Sequence, residues 1–129
     1  MISIIFGDID ISPLLNAKKV LDEGIKSAST ELEKAGTIQC FEVCYELLWK
    51  IVKRILTKKG LTTSSPRDVF RIAADNNLID KPEPWFEVIE MRNLTSHTYN
   101  KELAEKVLNY LPKFQKLLNS IIEKIRTCK

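Results

Sequence analysis

His97 is the single histidine of the chain, and imidazole is the side chain best suited to proton transfer near neutral pH. It stands in Glu90-Met91-Arg92-Asn93-Leu94-Thr95-Ser96-His97-Thr98-Tyr99, where chemically capable groups concentrate beside apolar Ile89 and Leu94. On an α-helix Asn93 and His97 share a face at i, i+4, so the Asn93 amide can bond an imidazole nitrogen and fix its orientation. Arg92 lies about 140° from His97 on a regular helix. The two converge on one phosphate only if the helix end unwinds near His97 or a second subunit supplies one of them. A plainer alternative is structural: Arg92 pairs with Glu90 or Glu87, and His97, Thr98 and Tyr99 make a capping turn.

The remaining chemically distinctive residues read as packing. Cys40 and Cys44 lie four apart in an apolar stripe, where thiols behave as small hydrophobes. With Cys128 they make an odd number, which argues against a secreted disulfide framework. Trp49 and Trp85 read as core anchors rather than base-stacking platforms. No Gly-rich phosphate loop, internal repeat or coherent metal-ligand set is visible, so neither cofactor nor metal is expected. The net charge of +3 is unevenly spread. Between Lys50 and Arg71 stand Lys50, Lys53, Arg54, Lys58, Lys59, Arg67 and Arg71 against one acid, Asp68. That window reads either as ordinary solvated lysines and a helix end complementing its dipole, or as a phosphate-attracting patch.

A chain of 129 residues is one ordinary domain. With 44% apolar and 29% charged residues, 4 Gly and 5 Pro, it is neither disordered nor turn-rich. Abundant Leu, Ile, Lys and Glu point to an all-α fold. Met1 to Ile9 is apolar but lacks a basic lead and a cleavage site, and no run approaches the roughly 18 residues of a membrane span. No membrane association is expected, and the cytoplasm is the expected compartment.

These features imply an antiparallel up-and-down helical bundle of four main helices plus a short extra helix, spanning 1–129 as one domain, with 1–11 an N-terminal extension of no assigned role. Ser12-Pro13 starts a first helix that the spacing of Leu14, Leu21, Ile25, Ala28 and Leu32 carries to about residue 34. Gly36-Thr37 breaks the pattern and caps a second helix, striped by Phe41, Cys44, Leu48, Ile51 and Ile55 and ending near Lys59 with Gly60 at the left-handed cap. Ser65-Pro66-Arg67-Asp68 opens a third, short helix that ends near Asn76-Asn77. Leu78 to Pro84 reads as extended. A fourth helix runs from about Trp85 to Ser96, and Asn100 caps a last one through Leu103, Val107, Tyr110, Phe114, Leu117, Ile121 and Ile125, kinked or restarted at Pro112. The wide apolar faces of the second and last helices suggest a homodimer.

Arg92 to Tyr99 fits Arg-x4-His-x-Tyr, and here the sequence resembles the HEPN superfamily, in particular the HepT-like nucleotidyltransferase substrate-binding subunits. Phe41-Glu42-Val43-Cys44-Tyr45-Glu46-Leu47-Leu48-Trp49-Lys50 and Ser65-Pro66-Arg67-Asp68-Val69 are similar to the same family, in its order, and the likeness covers roughly residues 12–125. Met1 to Ile9 has no counterpart in it. The resemblance implies a helical homodimer paired with a minimal nucleotidyltransferase as toxin and antitoxin. It implies a metal-independent ribonuclease with His97 as general acid/base, Arg92 as phosphate clamp and Asn93 as orienter of the histidine. Tyr99 would then be the hydroxyl that the partner modifies with AMP, silencing the nuclease, and Lys50, Lys53, Arg54, Lys58 and Lys59 would draw in RNA. The alternative within the family is a non-catalytic substrate-binding or regulatory subunit of the nucleotidyltransferase.

Overall fold

The computed structural model describes residues 3–127, so Cys128 lies outside the described residues. A two-stranded antiparallel hairpin, β1 (Ile4–Ile5) and β2 (Ile9–Asp10), precedes five α-helices: α1 (Ser12–Ser27), α2 (Glu31–Lys58), α3 (Pro66–Asp75), α4 (Glu83–Leu94) and α5 (Lys101–Thr127). A 3-10 turn, Thr95–His97, lies between α4 and α5. Contacts give the helix directions. Asp22 accepts from Gln115 while Leu15 and Arg126 share a cleft, so α1 and α5 run antiparallel; Lys34 faces Glu105 and Phe41 packs on Phe114, so α2 and α5 run parallel. The Glu87–Lys113 pair and the Trp85–Phe114 contact set α4 antiparallel to α5. The four main helices alternate in direction, and α3 packs on α2 and α4.

Local signals explain five of the ten helix ends. Thr30 accepts from Glu33 N–H while the Glu33 carboxylate accepts from Thr30 N–H, a complete capping box. These bonds hold the Glu33 carboxyl down at about 2. Ser65 caps α3 by accepting from Asp68 N–H, and Asn100 caps α5 by accepting from Glu102 and Leu103 N–H. Gly60 takes φ +83° after Lys59, with Gly60 N–H on Thr57 and Leu61 N–H on Leu56, a Schellman ending that favours glycine. Asn77 closes α3 in the same way at φ 61°.

Three expectations need correction. The first helix ends at Ser27 rather than near residue 34, and α2 begins at Glu31 and runs unbroken through Gly36 and Thr37. Two acceptor–donor pairs at the Thr30–Glu33 box outweigh one exposed Gly36, which costs a helix interior only about 1 kcal/mol. Leu32 consequently belongs to α2 and is 84% exposed, not part of the first helix's core stripe. Second, α5 does not restart at Pro112: Leu111 and Phe114 on either side are buried in the same core, which holds one continuous helix around the exposed proline. Third, α4 begins at Glu83, with Pro84 in its first turn rather than in an extended lead.

The N-terminal segment is built into the core, where Ile5, Ile9 and Ile11 are buried. Asp8 forms an ion pair with Lys58, and Lys59 Nζ lies 5.6 Å from the Phe6 ring centroid, which fastens the hairpin to the end of α2. Trp85 is buried and stacks on Phe70 at 4.9 Å, as a core anchor does, whereas Trp49 is only half-buried and donates its indole N–H to Glu46. Cys44 is buried and its thiol is pushed up to about 12 by desolvation; burial also raises Cys40. Neither is a ready nucleophile.

Gly24 of α1 lies directly against Thr37 of α2. A Cβ there would stand 2.9 Å from Thr37 Cγ2 and closer still to Oγ1, and Thr37 is fixed by donating to the Glu33 carbonyl. Gly24→Ala is expected to cost about 1–3 kcal/mol through overpacking, read as a fall in the urea midpoint, while Gly36→Ala, with open space around it, raises that midpoint.

Candidate functional site

The motif is carried by the end of α4 and the turn that follows. The α-helix stops at Leu94 and tightens into the 3-10 turn at Thr95–His97, so the helix end departs from regular α geometry where the sequence required it. His97 is exposed on this turn and its ring stands edge-on to the Tyr99 ring, centroids 6.0 Å apart at 77°. Tyr99 is 85% exposed. Asn93 is also exposed; its carbonyl accepts from Ser96 Oγ at 2.9 Å, and among the described residues its amide makes no hydrogen bond to His97.

Arg92 points elsewhere. Its Nη1 lies 3.2 Å from Glu42 Oε2 and donates to Thr95 Oγ1 at 2.9 Å, and its Nε lies 3.8 Å from Glu46 Oε1. Thr95 Oγ1 is also 2.7 Å from Glu42 Oε2, so α2 and the end of α4 are joined by one polar cluster. The expected local partners are not used: Glu87 pairs with Lys113, and Arg92 reaches across to α2. Helix α2 offers Glu42 and Glu46 at i, i+4 on the flank of its apolar stripe. Within one chain Arg92 and His97 share no hydrogen bond among the described residues. The cluster residues that sequence reasoning missed are Glu42, Glu46 and Thr95; the only signal for the two acids was their place inside an apolar helix.

The basic window is divided by its contacts. Lys50 lies 3.9 Å from Glu46, and Lys53 Nζ stands 6.0 Å from the Trp49 ring, both within about two turns of the cluster. Arg54 is exposed. Lys58 and Lys59 are engaged by the hairpin, roughly 18 Å farther along α2 than Glu46 at 1.5 Å per residue. Arg67 packs on Phe86 at 4.0 Å and Arg71 pairs with Asp68.

Residues 9–127 match the family model described as "Nucleotidyltransferase substrate binding protein like". The chain belongs to the HepT-like nucleotidyltransferase substrate-binding family. A member from Haemophilus influenzae named probable ribonuclease HepT is 35% identical over 97 residues, covering 71% of this chain and 66% of that one, just under two thirds of its length. A Thermus thermophilus protein of known crystal structure is 29% identical with a TM-score of 0.82, covering 88% of this chain and 98% of that one. HI0074 from Haemophilus influenzae, described as revealing the fold of a substrate binding domain of a nucleotidyltransferase, is 29% identical with a TM-score of 0.80, covering 88% and 97%. Among the described residues, no helix is long and apolar enough to cross a membrane, and no group of three His, Cys, Asp or Glu side chains is arranged to hold a metal.

Proposed function

We propose that this chain is a metal-independent RNA endonuclease, the toxin of a toxin–antitoxin pair, silenced when a partner minimal nucleotidyltransferase transfers AMP to Tyr99. The observation that carries the reading is the exposed turn that presents His97 and Tyr99 side by side, directly after the helix end whose Arg92 is held in place by Thr95 and Glu42. The RNA 2′-hydroxyl is an internal nucleophile, so the protein's tasks are moving protons and stabilising charge on the phosphorane. His97 performs the first, Arg92 the second, and Asn93 orients the imidazole once the site is assembled. Assembly takes place in a cytoplasmic homodimer, in which a second copy brings its own His97 to the shared groove. Exposed Leu32 and Val43 lie eleven residues apart on one face of α2 and are the two exposed large apolar side chains of that helix, which we assign to the contact with the second copy. The chain should cleave RNA in EDTA, leave 2′,3′-cyclic phosphate ends and scatter light as a dimer; cleavage that EDTA abolishes and Mg²⁺ restores would overturn the mechanism.

The second reading, a non-catalytic substrate-binding or regulatory subunit, is favoured by one feature. Glu42 and Glu46 already neutralise Arg92 in the single chain. Absence of cleavage by a dimeric, folded preparation would select it.

RNA approach is assigned to the near half of the basic window. Replacing Lys53 and Arg54 by Gln should flatten the salt dependence of RNA binding by roughly 0.7 log unit for each phosphate that is no longer neutralised. Replacing Lys58 should leave the slope unchanged, because its ammonium is already paired with Asp8. Measuring both slopes by fluorescence anisotropy checks the division, and Lys50 joins the near group if its replacement behaves as that of Lys53 does.

A further inference from the structure

The Arg92 guanidinium is held at Nη1 and flanked at Nε by Glu46 Oε1, 3.8 Å away, which leaves Nη2 as the nitrogen that neither carboxylate approaches within 4 Å. On the held side, Nη1 donates to Thr95 Oγ1 and pairs with Glu42 Oε2. Thr95 Oγ1 stands 2.7 Å from that same carboxylate and 2.6 Å from the Arg92 carbonyl, and it has one proton to give. An ionised carboxylate is the stronger acceptor. Thr95 therefore accepts from Arg92 and donates to Glu42, closing a ring of three contacts between two helices. Thr95 is buried, and the Glu42 and Arg92 side chains are 31% and 30% exposed, so bulk water competes weakly for these bonds. Arg92 Nε is buried without a hydrogen-bond partner. Nη2 makes no hydrogen bond among the described residues, on a side chain that is 30% exposed.

We infer that Glu42 and Thr95 are positioning residues for Arg92, fixing the guanidinium plane so that its open Nη2 edge takes a phosphate of bound RNA. The inference rests on the ribonuclease reading for its substrate, and on the ring of contacts for its geometry. A long arginine free in solution samples many rotamers, and a clamp that must be ordered during the reaction loses part of its effect. The ring removes that freedom before RNA arrives. It also divides the labour on one cation: Glu42 holds the Nη1 side, and the phosphate approaches the Nη2 side without displacing the carboxylate.

Substitutions within the ring give distinct readouts. Thr95→Val keeps the shape and removes the hydroxyl, Thr95→Ser keeps the hydroxyl, and Glu42→Gln keeps the length and removes the charge. Positioning predicts that Thr95→Val and Glu42→Gln lower kcat by about 10- to 100-fold with KM nearly constant, and that Thr95→Ser restores the parent value. Unchanged kcat in both damaged variants, measured well below their melting temperatures, would reduce the ring to a structural contact. A raised kcat/KM in Glu42→Gln would mean instead that the carboxylate competes with phosphate, and would overturn the inference. The second measurement needs no cleavage: ¹⁵N NMR of the Arg92 guanidinium in the full chain, alone and with a 2′-O-methyl RNA oligonucleotide that has no nucleophile. Slow guanidinium rotation in the parent, faster rotation in Thr95→Val and an oligonucleotide-induced shift at Nη2 support the positioning role. If that pattern appears in a chain that cuts no RNA, the nuclease reading fails and the phosphate clamp stands. Identical Arg92 signals in parent and Thr95→Val sink the clamp whatever the activity.

Discussion

Replacing His97 by Ala should lower RNA cleavage by about 10²–10⁴-fold, the usual loss when a positioned acid/base group is removed, with no change in helical CD or in mass by light scattering. The fold should be indifferent because His97 is exposed and its side chain makes no hydrogen bond among the described residues. Arg92→Ala should remove activity to a similar extent but is less neutral structurally. It leaves Glu42 and Glu46 facing α4 without their cation, and because the pair is about a third exposed, solvent limits the cost to about 1 kcal/mol. Arg92→Lys separates charge from geometry. A lysine ammonium can answer Glu42, but it cannot bond Thr95, Glu42 and a phosphate with the fixed fork of a guanidinium, so cleavage should remain low while stability returns. Full cleavage by the His97→Ala chain would remove the imidazole from the mechanism.

Those two residues were legible from the sequence because type and spacing alone single them out: one histidine in the chain, and an arginine five positions before it. The ends of α2, α3 and α5 were legible for a related reason. Gly60, Ser65 and Asn100 act on backbone groups within a few residues, so the sequence carries the whole interaction. The boundary between α1 and α2 was not, because Gly36 and the Thr30–Glu33 box compete locally and the buried contact of Thr37 with Gly24, from another helix, favours continuation. Strands of two residues have no period to read, so the burial of Ile5 and Ile9 emerges only when the hairpin meets the bundle. The ring around Arg92 was hidden in the same way. Thr95 and Glu42 are 53 positions apart, and nothing in either local pattern pairs them.

Tyr99 differs from the other two tyrosines in access. Tyr45 and Tyr110 are buried, and burial pushes both phenols up, Tyr45 to about 12. A partner's active site would have to open the bundle to reach either. Tyr99 is 85% exposed, just before Asn100 caps α5, and its hydroxyl can be approached without moving a helix. Incubation with the cognate nucleotidyltransferase and ATP should therefore add AMP to Tyr99, the phenolic oxygen attacking the α-phosphate as pyrophosphate leaves. The adduct places negative charge and the bulk of a nucleotide beside the His97 ring, where it repels an incoming RNA phosphate. Tyr99→Phe should fold, dimerise and keep most of its cleavage, since phenol transfers no proton in the reaction, and it should escape silencing by the partner. Intact-mass spectrometry decides the site. Parent chain gaining adenylate while Tyr99→Phe gains none supports it, and equal gain in both places the modified hydroxyl elsewhere. A Tyr99→Glu chain tests the electrostatic half separately: one carboxylate beside His97 should weaken RNA binding with a steeper loss at low salt, where repulsion is least screened.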